Sequence, residues 1–239
     1  MISVKNLEFS YHKKAVLQDI NFDFKNSLAI LGENGCGKST LLKCMLNLVK
    51  FKGEILFNKK DITKFSRTNL ALNFAYIPQF YDVNFDYEVL DIVLLSRLNH
   101  KKFFENYSKD DYEICTLNLE MLGINHLKNR IFKNLSGGEK ALVYLARALS
   151  TNAKIIFMDE PVSALDFGNQ IKFLNLIKNL RDKNFILTSH HPRHIKYLGF
   201  DVLMLKNGKI LEFGKNEILN PQNISKLYGV DYEKYKEIL

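Results

Sequence analysis

An apolar run, Ser27-Leu-Ala-Ile-Leu31, leads directly into Gly32-Glu-Asn-Gly-Cys-Gly-Lys-Ser39, and few local arrangements accommodate both. The eight residues fit GxxxxGK[ST], which reads as a strand feeding a glycine-rich turn and then a helix. Glycines let the backbone curl close to an anion, so that several N–H groups and a helix N-terminus converge on negative charge. Leu41, Leu42, Met45, Leu46 and Val49 then recur at helical spacing, as a buried crossover helix requires. The segment predicts a site for the phosphates of ATP or GTP, with Lys38 reaching the terminal phosphates and Ser39 ligating magnesium. A purely structural turn is the competing explanation. Three glycines with Lys38, Ser39 and Thr40 between a strand and a helix argue against it.

The rest of the chain supplies a sheet around that loop. Val4, Leu7 and Phe9, then Ile20, Phe22 and Phe24, alternate with polar neighbours as strands. Gly53–Phe57 and Phe74–Ile77 read as two more, the second ended by Pro78. From about 85 to 150 the pattern turns helical, with Asp86 as the expected cap before Val89-Leu-Asp-Ile-Val-Leu-Leu95. Lys154–Met158 and Phe185–Thr188 are short β-rich runs joined by a helix carrying Phe173, Leu176, Ile177 and Leu180, a βαβ unit. Val202–Leu205 and Ile210–Phe213 flank an Asn-Gly turn at 207 and 208, a hairpin signal. The expected architecture is an α/β nucleotide core with a helical insertion.

A length of 239 residues and 46% apolar composition suit one compact unit with a sizeable core. No segment approaches the roughly 18 consecutive apolar residues of a membrane span, and the N-terminal stretch already alternates like a strand. The chain is therefore expected to be soluble and cytoplasmic. The three cysteines, Cys36, Cys44 and Cys115, have neither disulfide-framework nor zinc spacing. Cys36 either fills a small-residue slot or, beside Lys38 and a helix N-terminus, is a reactive thiol. The formal charge of +8 comes from lysines scattered along the chain, not from a basic stripe with interleaved aromatics, so no nucleic-acid partner is expected.

Two further clusters carry chemistry. Asp159-Glu160 closes an apolar strand with adjacent carboxylates that period-two alternation points in different directions. Asp159 suits magnesium, and Glu160 suits taking the proton from an attacking water. Leu135-Ser-Gly-Gly-Glu139 opens a helix carrying Leu142, Leu145, Ala146 and Leu149. Ser136 caps it, and the two glycines leave bare N–H groups, a second anion site or a plain helix start.

Taken together, Gly32–Thr40 and Ser136-Gly-Gly-Glu139 resemble the phosphate loop and signature of ATP-binding-cassette (ABC) ATPases, and the resemblance covers nearly the whole chain. It implies a P-loop ABC ATPase fold: a RecA-like core at about 1–84 and 151–239, an N-terminal antiparallel β subdomain, and a helical subdomain at about 85–150, all in one domain. It implies ATP and Mg2+, with Gly32, Asn34, Gly35, Cys36, Gly37, Lys38, Ser39 and Thr40 around the phosphates. Tyr11 matches the aromatic that stacks on adenine. Gln79 matches the glutamine that contacts magnesium and the attacking water. Ser163-Ala-Leu-Asp166 matches the loop linking two active sites, and His190 matches the switch histidine at the γ-phosphate. Ser136, Gly137 and Gly138 would cover the nucleotide of a second copy, so the working form contains a homodimer.

Two departures are visible: Glu139 replaces a common Gln, and His191 replaces a common Asp. Either histidine is a candidate sensor, and His190 is preferred from its distance to the strand. The run at Val89–Arg97 with His100, and the ending Leu227-Tyr-Gly229, are similar to ATPases of importers for iron-siderophores, haem and cobalamin. That resemblance implies a subunit on the cytoplasmic face of the inner membrane, working with a separate integral permease and, indirectly, an extracytoplasmic solute-binding protein. Zinc or manganese importer ATPases and lipoprotein-type exporter ATPases remain alternatives. A DNA-repair ATPase of the superfamily would carry a long heptad coiled coil that is absent here.

Overall fold

The computed structural model describes residues 1–80, 85–102, 105–231 and 234; the expected subdomain boundary at residue 84 lies outside them. In chain order the elements are β1 (Ile2–Tyr11), β2 (Lys14–Phe24), β3 (Leu28–Leu31), α1 (Lys38–Met45), β4 (Lys52–Phe57), β5 (Lys60–Asp61), α2 (Arg67–Asn73), β6 (Phe74–Ile77) and α3 (Val89–Leu94). There follow α4 (Lys109–Met121), α5 (Gly137–Ser150), β7 (Ile155–Met158), α6 (Phe167–Asn179), β8 (Asn184–Ser189), α7 (Pro192–Leu198), β9 (Asp201–Lys206), β10 (Lys209–Gly214) and α8 (Pro221–Tyr228). They form two compact units, one of Met1–Ser66 with Asn184–Leu239 and the other of Arg67–Lys183. No helix among the described residues is long and apolar enough to cross a membrane.

In the first unit, β1 pairs antiparallel with both β2 and β4, and β5 extends β4. Leu17, Ile20, Phe22 and Phe24 of β2 are buried while their polar neighbours face out, as the alternation predicts. Gly53 has φ 92°, and a Cβ there would lie 2.2 Å from the Asn6 carbonyl oxygen, so this crossing of β4 over β1 requires glycine. A second group of strands runs around β3, which lies parallel to β8 on one side and β9 on the other. All four residues of β3 are buried, the pattern of a parallel strand covered on both faces. β9 turns back into β10 through Asn207 and Gly208, at φ 49° and 74°. Two consecutive left-handed residues are what an Asn-Gly hairpin turn of type I′ needs.

In the second unit, β6 and β7 are parallel, with Ile77 opposite Met158. The helices of this unit include α2, which the sequence reading did not anticipate. α5 buries Ala141, Val143, Tyr144, Leu145, Ala146, Ala148 and Leu149, a broader face than the expected stripe, while Leu142 is only partly buried. Phe173 and Ile177 of α6 are buried as expected, with Leu174 beside them. The cap of α3 is a correction. Asp91 accepts the Glu88 backbone N–H at 3.2 Å, whereas Asp86 forms an ion pair with Lys133. A carboxylate three residues into the helix reaches back to the orphan donor, and Asp86 stands too far upstream.

The helical part of this unit is held by a buried ion cluster. Arg97 Nε donates to Asp111 Oδ1 at 3.0 Å, and its Nη1 donates to the Ser150 carbonyl at 2.8 Å, at the end of α5. Lys101 Nζ lies 2.5 Å from Asp111 Oδ2, and Ser108 donates to that same oxygen from its backbone N–H and its hydroxyl, each at 2.8 Å. His100 Nε2 lies 3.0 Å from the Thr151 carbonyl. The Arg97 guanidinium therefore sits on the last carbonyl of α5, the end where a helix favours positive charge.

Candidate nucleotide-binding site

The phosphate loop connects β3 to α1 within the first unit. Gly32 has no room for a side chain: a Cβ would lie 2.4 Å from the Leu205 carbonyl oxygen and 2.6 Å from Cys36 Sγ. Gly37 takes φ 111°, a conformation open to glycine and costly for other residues. Lys38 is buried, and its Nζ donates to the carbonyls of Gly32 at 2.9 Å and Glu33 at 3.0 Å, which holds the ammonium inside the curl of the loop. Thr40 is buried, Ser39 is half-buried at the start of α1, and Asn34 and Gly35 are exposed on the loop's outer turn. Burial raises the Cys36 thiol above its ordinary range despite Lys38 beside it, so Cys36 fills a slot and is not a reactive thiolate.

The hairpin turn supports this loop in a way the sequence reading did not foresee. The Gly208 N–H donates to the Cys36 carbonyl at 3.1 Å, and the Gly208 carbonyl accepts the Gln18 N–H at 2.9 Å. A Cβ on Gly208 would meet the Val16 carbonyl oxygen at 2.2 Å. The glycine thus serves both the turn and the close approach to the loop. Asn207-Gly208 announced the turn; nothing local announced its neighbour.

His190 is brought to the same end of the sheet. Leu31 pairs with Ser189 in the parallel register of β3 and β8, and the Gly32 N–H donates to the Ser189 carbonyl at 3.4 Å. Its ring stands 4.0 Å from that of His191, which in turn lies 4.8 Å from that of His194. Tyr11, at the end of β1, is 48% exposed, and Phe9 contacts it edge-on at 4.7 Å, leaving a ring able to stack on a base.

The remaining residues lie in the second unit, at the carboxyl ends of β6 and β7, where open α/β sheets place their ligand sites. Asp159 is buried, and its N–H donates to the Ile77 carbonyl at 3.0 Å. Burial, and then the charge of Asp159, push the neighbouring Tyr76 phenol up to about 12. Gln79 Nε2 donates to Glu160 Oε2 at 3.3 Å across 81 residues of sequence. Glu160 is left-handed, with φ 47°, and its carbonyl accepts both the N–H and the hydroxyl of Ser163, at 3.1 and 2.9 Å. A non-glycine residue held there carries backbone strain, which concentrates at functional positions.

Ser136 caps α5, and here the departure at Glu139 acquires a physical role. The Ser136 N–H and hydroxyl donate to Glu139 Oε2 at 2.8 and 2.7 Å, while the Glu139 N–H returns to Ser136 Oγ at 3.3 Å, a complete capping box. Those bonds, the side-chain one foremost, hold the Glu139 carboxyl below its usual range, with Arg130 contributing 3.6 Å away. The signature glycines also have packing reasons. A Cβ on Gly137 would lie 3.1 Å from the Ala164 carbonyl, and one on Gly138 3.0 Å from Asn169 Nδ2. Asn169 is in turn tied to Asp166, the cap of α6, at 2.9 Å through its N–H and 2.6 Å through its side chain. The linking loop and the signature are therefore packed together.

Comparison with known proteins agrees with this geometry. The sequence model of the ABC transporter family matches residues 17–163. The molybdate import ATP-binding protein MolC of Haemophilus influenzae is 35% identical over 248 residues, covering 99% of this chain and 92% of that protein. A protein of Helicobacter pylori named for iron chelatin transport, also an ATP-binding protein, is 36% identical over 241 residues, covering 98% and 94%. Among solved structures, a metal-chelate type ABC transporter in an inward-facing conformation superposes with a TM-score of 0.84 at 34% identity, covering 95% of this chain and 88% of that one. A family match over more than half the chain, with relatives this similar along nearly all of it, makes this protein a member of the ABC transporter family, an ATP-binding, ATP-hydrolysing subunit of the kind that works with membrane permease components.

Proposed function

We propose that the chain energises uptake of a metal chelate, such as an iron-siderophore, haem or cobalamin, as a homodimer bound to a separate permease at the cytoplasmic face of the membrane. An extracytoplasmic solute-binding protein would deliver the cargo. For the chemistry, the observation that carries most weight is the Gln79–Glu160 hydrogen bond, which orients a carboxylate at the end of β7 against an amide at the end of β6. Glu160 takes the proton of the attacking water, and Gln79 aligns that water with it. Lys38, Gly32, Asn34, Gly35, Cys36, Gly37 and Thr40 cradle the phosphates, Tyr11 stacks on adenine, and His190 meets the γ-phosphate. Ser136, Gly137 and Gly138 close over the nucleotide of the second copy.

Ser39, Gln79 and Asp159 would be the residues to hold Mg2+. Each offers a hard oxygen, and because the Gln79 nitrogen is engaged with Glu160, its amide oxygen is the atom left for a metal. When bound, Mg2+ would supply charge neutralisation for the phosphates.

The metal-chelate cargo is supported by the likeness to the metal-chelate type transporter and to the iron chelatin protein. The similarity to MolC favours a second reading, import of a metal oxyanion. The decisive measurement is on the chain co-purified with its permease and reconstituted: which loaded solute-binding protein stimulates ATP hydrolysis. A siderophore-, haem- or cobalamin-loaded protein is expected to do so. Stimulation only by an oxyanion-loaded protein would select the second reading, and export of a lipid or peptide would overturn both. In that complex E160Q should retain ATP binding and lose turnover by about 10²-fold or more. Near-normal turnover would refute the assignment of the base.

A further inference from the structure

Among the described residues, His190 has its backbone tied to the end of α8. It precedes His191, the cap of α7, and Pro192 occupies the first helical position. Its carbonyl therefore lies outside the helix's own hydrogen-bond ladder. The following N–H is already committed, because His191 N–H donates to Ser189 Oγ at 3.0 Å. The carbonyl of the 190–191 peptide accepts the Tyr228 hydroxyl at 2.8 Å, from 38 residues away.

Tyr228 is itself firmly placed. It is the last residue of α8, which begins at an Asn220 cap with Pro221 in the first turn and ends at Gly229 in the left-handed conformation, φ 66°. Ile224 and Leu227 are buried, and Lys206, at the end of β9, donates to the Lys226 carbonyl. Tyr228 is thereby carried on an anchored helix end, and its hydroxyl fixes the peptide that sets the ψ angle of His190.

From this geometry we infer that Tyr228 is a positioning residue for His190: its hydroxyl holds the 190–191 peptide so that the imidazole meets the nucleotide in one orientation. The role rests on His190 acting at the γ-phosphate, as proposed above. Tyr228 touches no reacting atom, so its contribution passes through the histidine backbone. Phenylalanine keeps the ring and its packing and removes the hydroxyl that makes this bond.

The test uses the chain co-purified with its permease for kinetics and the full-length chain for spectroscopy. Loss of one partly buried hydrogen bond predicts that Y228F lowers kcat by about fivefold, with KM for ATP within about twofold and an unfolding midpoint near that of the parent. The Hε1 resonance of His190, assigned by its disappearance in H190N, should move or broaden in Y228F when ATP is added. An unchanged kcat would overturn the inference, as would a reduced kcat with the His190 resonance unmoved, since Tyr228 would then act elsewhere. Failure of the parent complex to hydrolyse ATP would overturn the catalytic reading along with it, whereas an active parent with a normal Y228F would overturn the positioning role alone.

Discussion

The left-handed backbone of Glu160 invites a comparison of two substitutions that remove the same carboxylate. At φ 47° an L-residue pays roughly 1–2 kcal/mol that glycine does not. Glycine in turn loses about 0.4–1 kcal/mol more unfolded-chain entropy on folding than alanine. E160G and E160A both lose the Gln79 hydrogen bond, so that term cancels between them. E160G should therefore be more stable than E160A by about 0.5–1 kcal/mol, or about 2 °C in Tm for a chain of this size. Urea unfolding followed by circular dichroism, with a thermal scan in parallel, measures the difference. At an ordinary right-handed position the order reverses, so E160A equal to or more stable than E160G would refute the claim of strain. Both variants should lose about 10²- to 10⁴-fold in ATP turnover, because neither retains a base. A gain in stability joined to a loss of turnover would mark the strain as retained for placing the carboxylate.

Two other perturbations test the packing and the histidine cluster. D111A leaves the Arg97 side chain, only 10% exposed, without its counter-charge, and should cost about 3–5 kcal/mol in urea unfolding with little dependence on added salt; a cost under about 1 kcal/mol would show that the pair is not shielded. Burial, and then His191 and His190, lower His194 to about 4 from an ordinary value of 6.5. The unfolded chain then binds more protons than the native one between those values, so stability is full above about pH 6.5 and falls as pH drops through 4. After allowance for partial exposure the loss is about 1–2 kcal/mol, and H194Q should flatten this part of the profile. An equally steep profile in H194Q would assign the titration to another group.

Much of the site was legible because its signals are local. The curl of Gly32–Lys38 needs glycines at fixed offsets, the cap at Ser136 needs only a hydroxyl ahead of a helical run, and the strands before Gln79 and Asp159 are short apolar runs. The same local logic misled at Asp86, where a plausible cap stood two residues upstream of the true one at Glu88. From the sequence Glu139 is only a departure from a common Gln, and the structure gives it the reciprocal bonds of a capping box.

The phosphate loop, the alternation of strands and helices around it, and the order of the charged and histidine motifs can be read along the chain, since each depends on residues within a turn or two of one another. That Gly208 braces Cys36, that Gln79 meets Glu160, that Glu160 is held left-handed, and that Tyr228 bonds the His190 carbonyl emerge only from the folded chain. Each of those contacts joins segments far apart in the chain or imposes a backbone angle through them. No periodicity or spacing encodes such a pairing, because packing and strand register fix it after the local elements have formed.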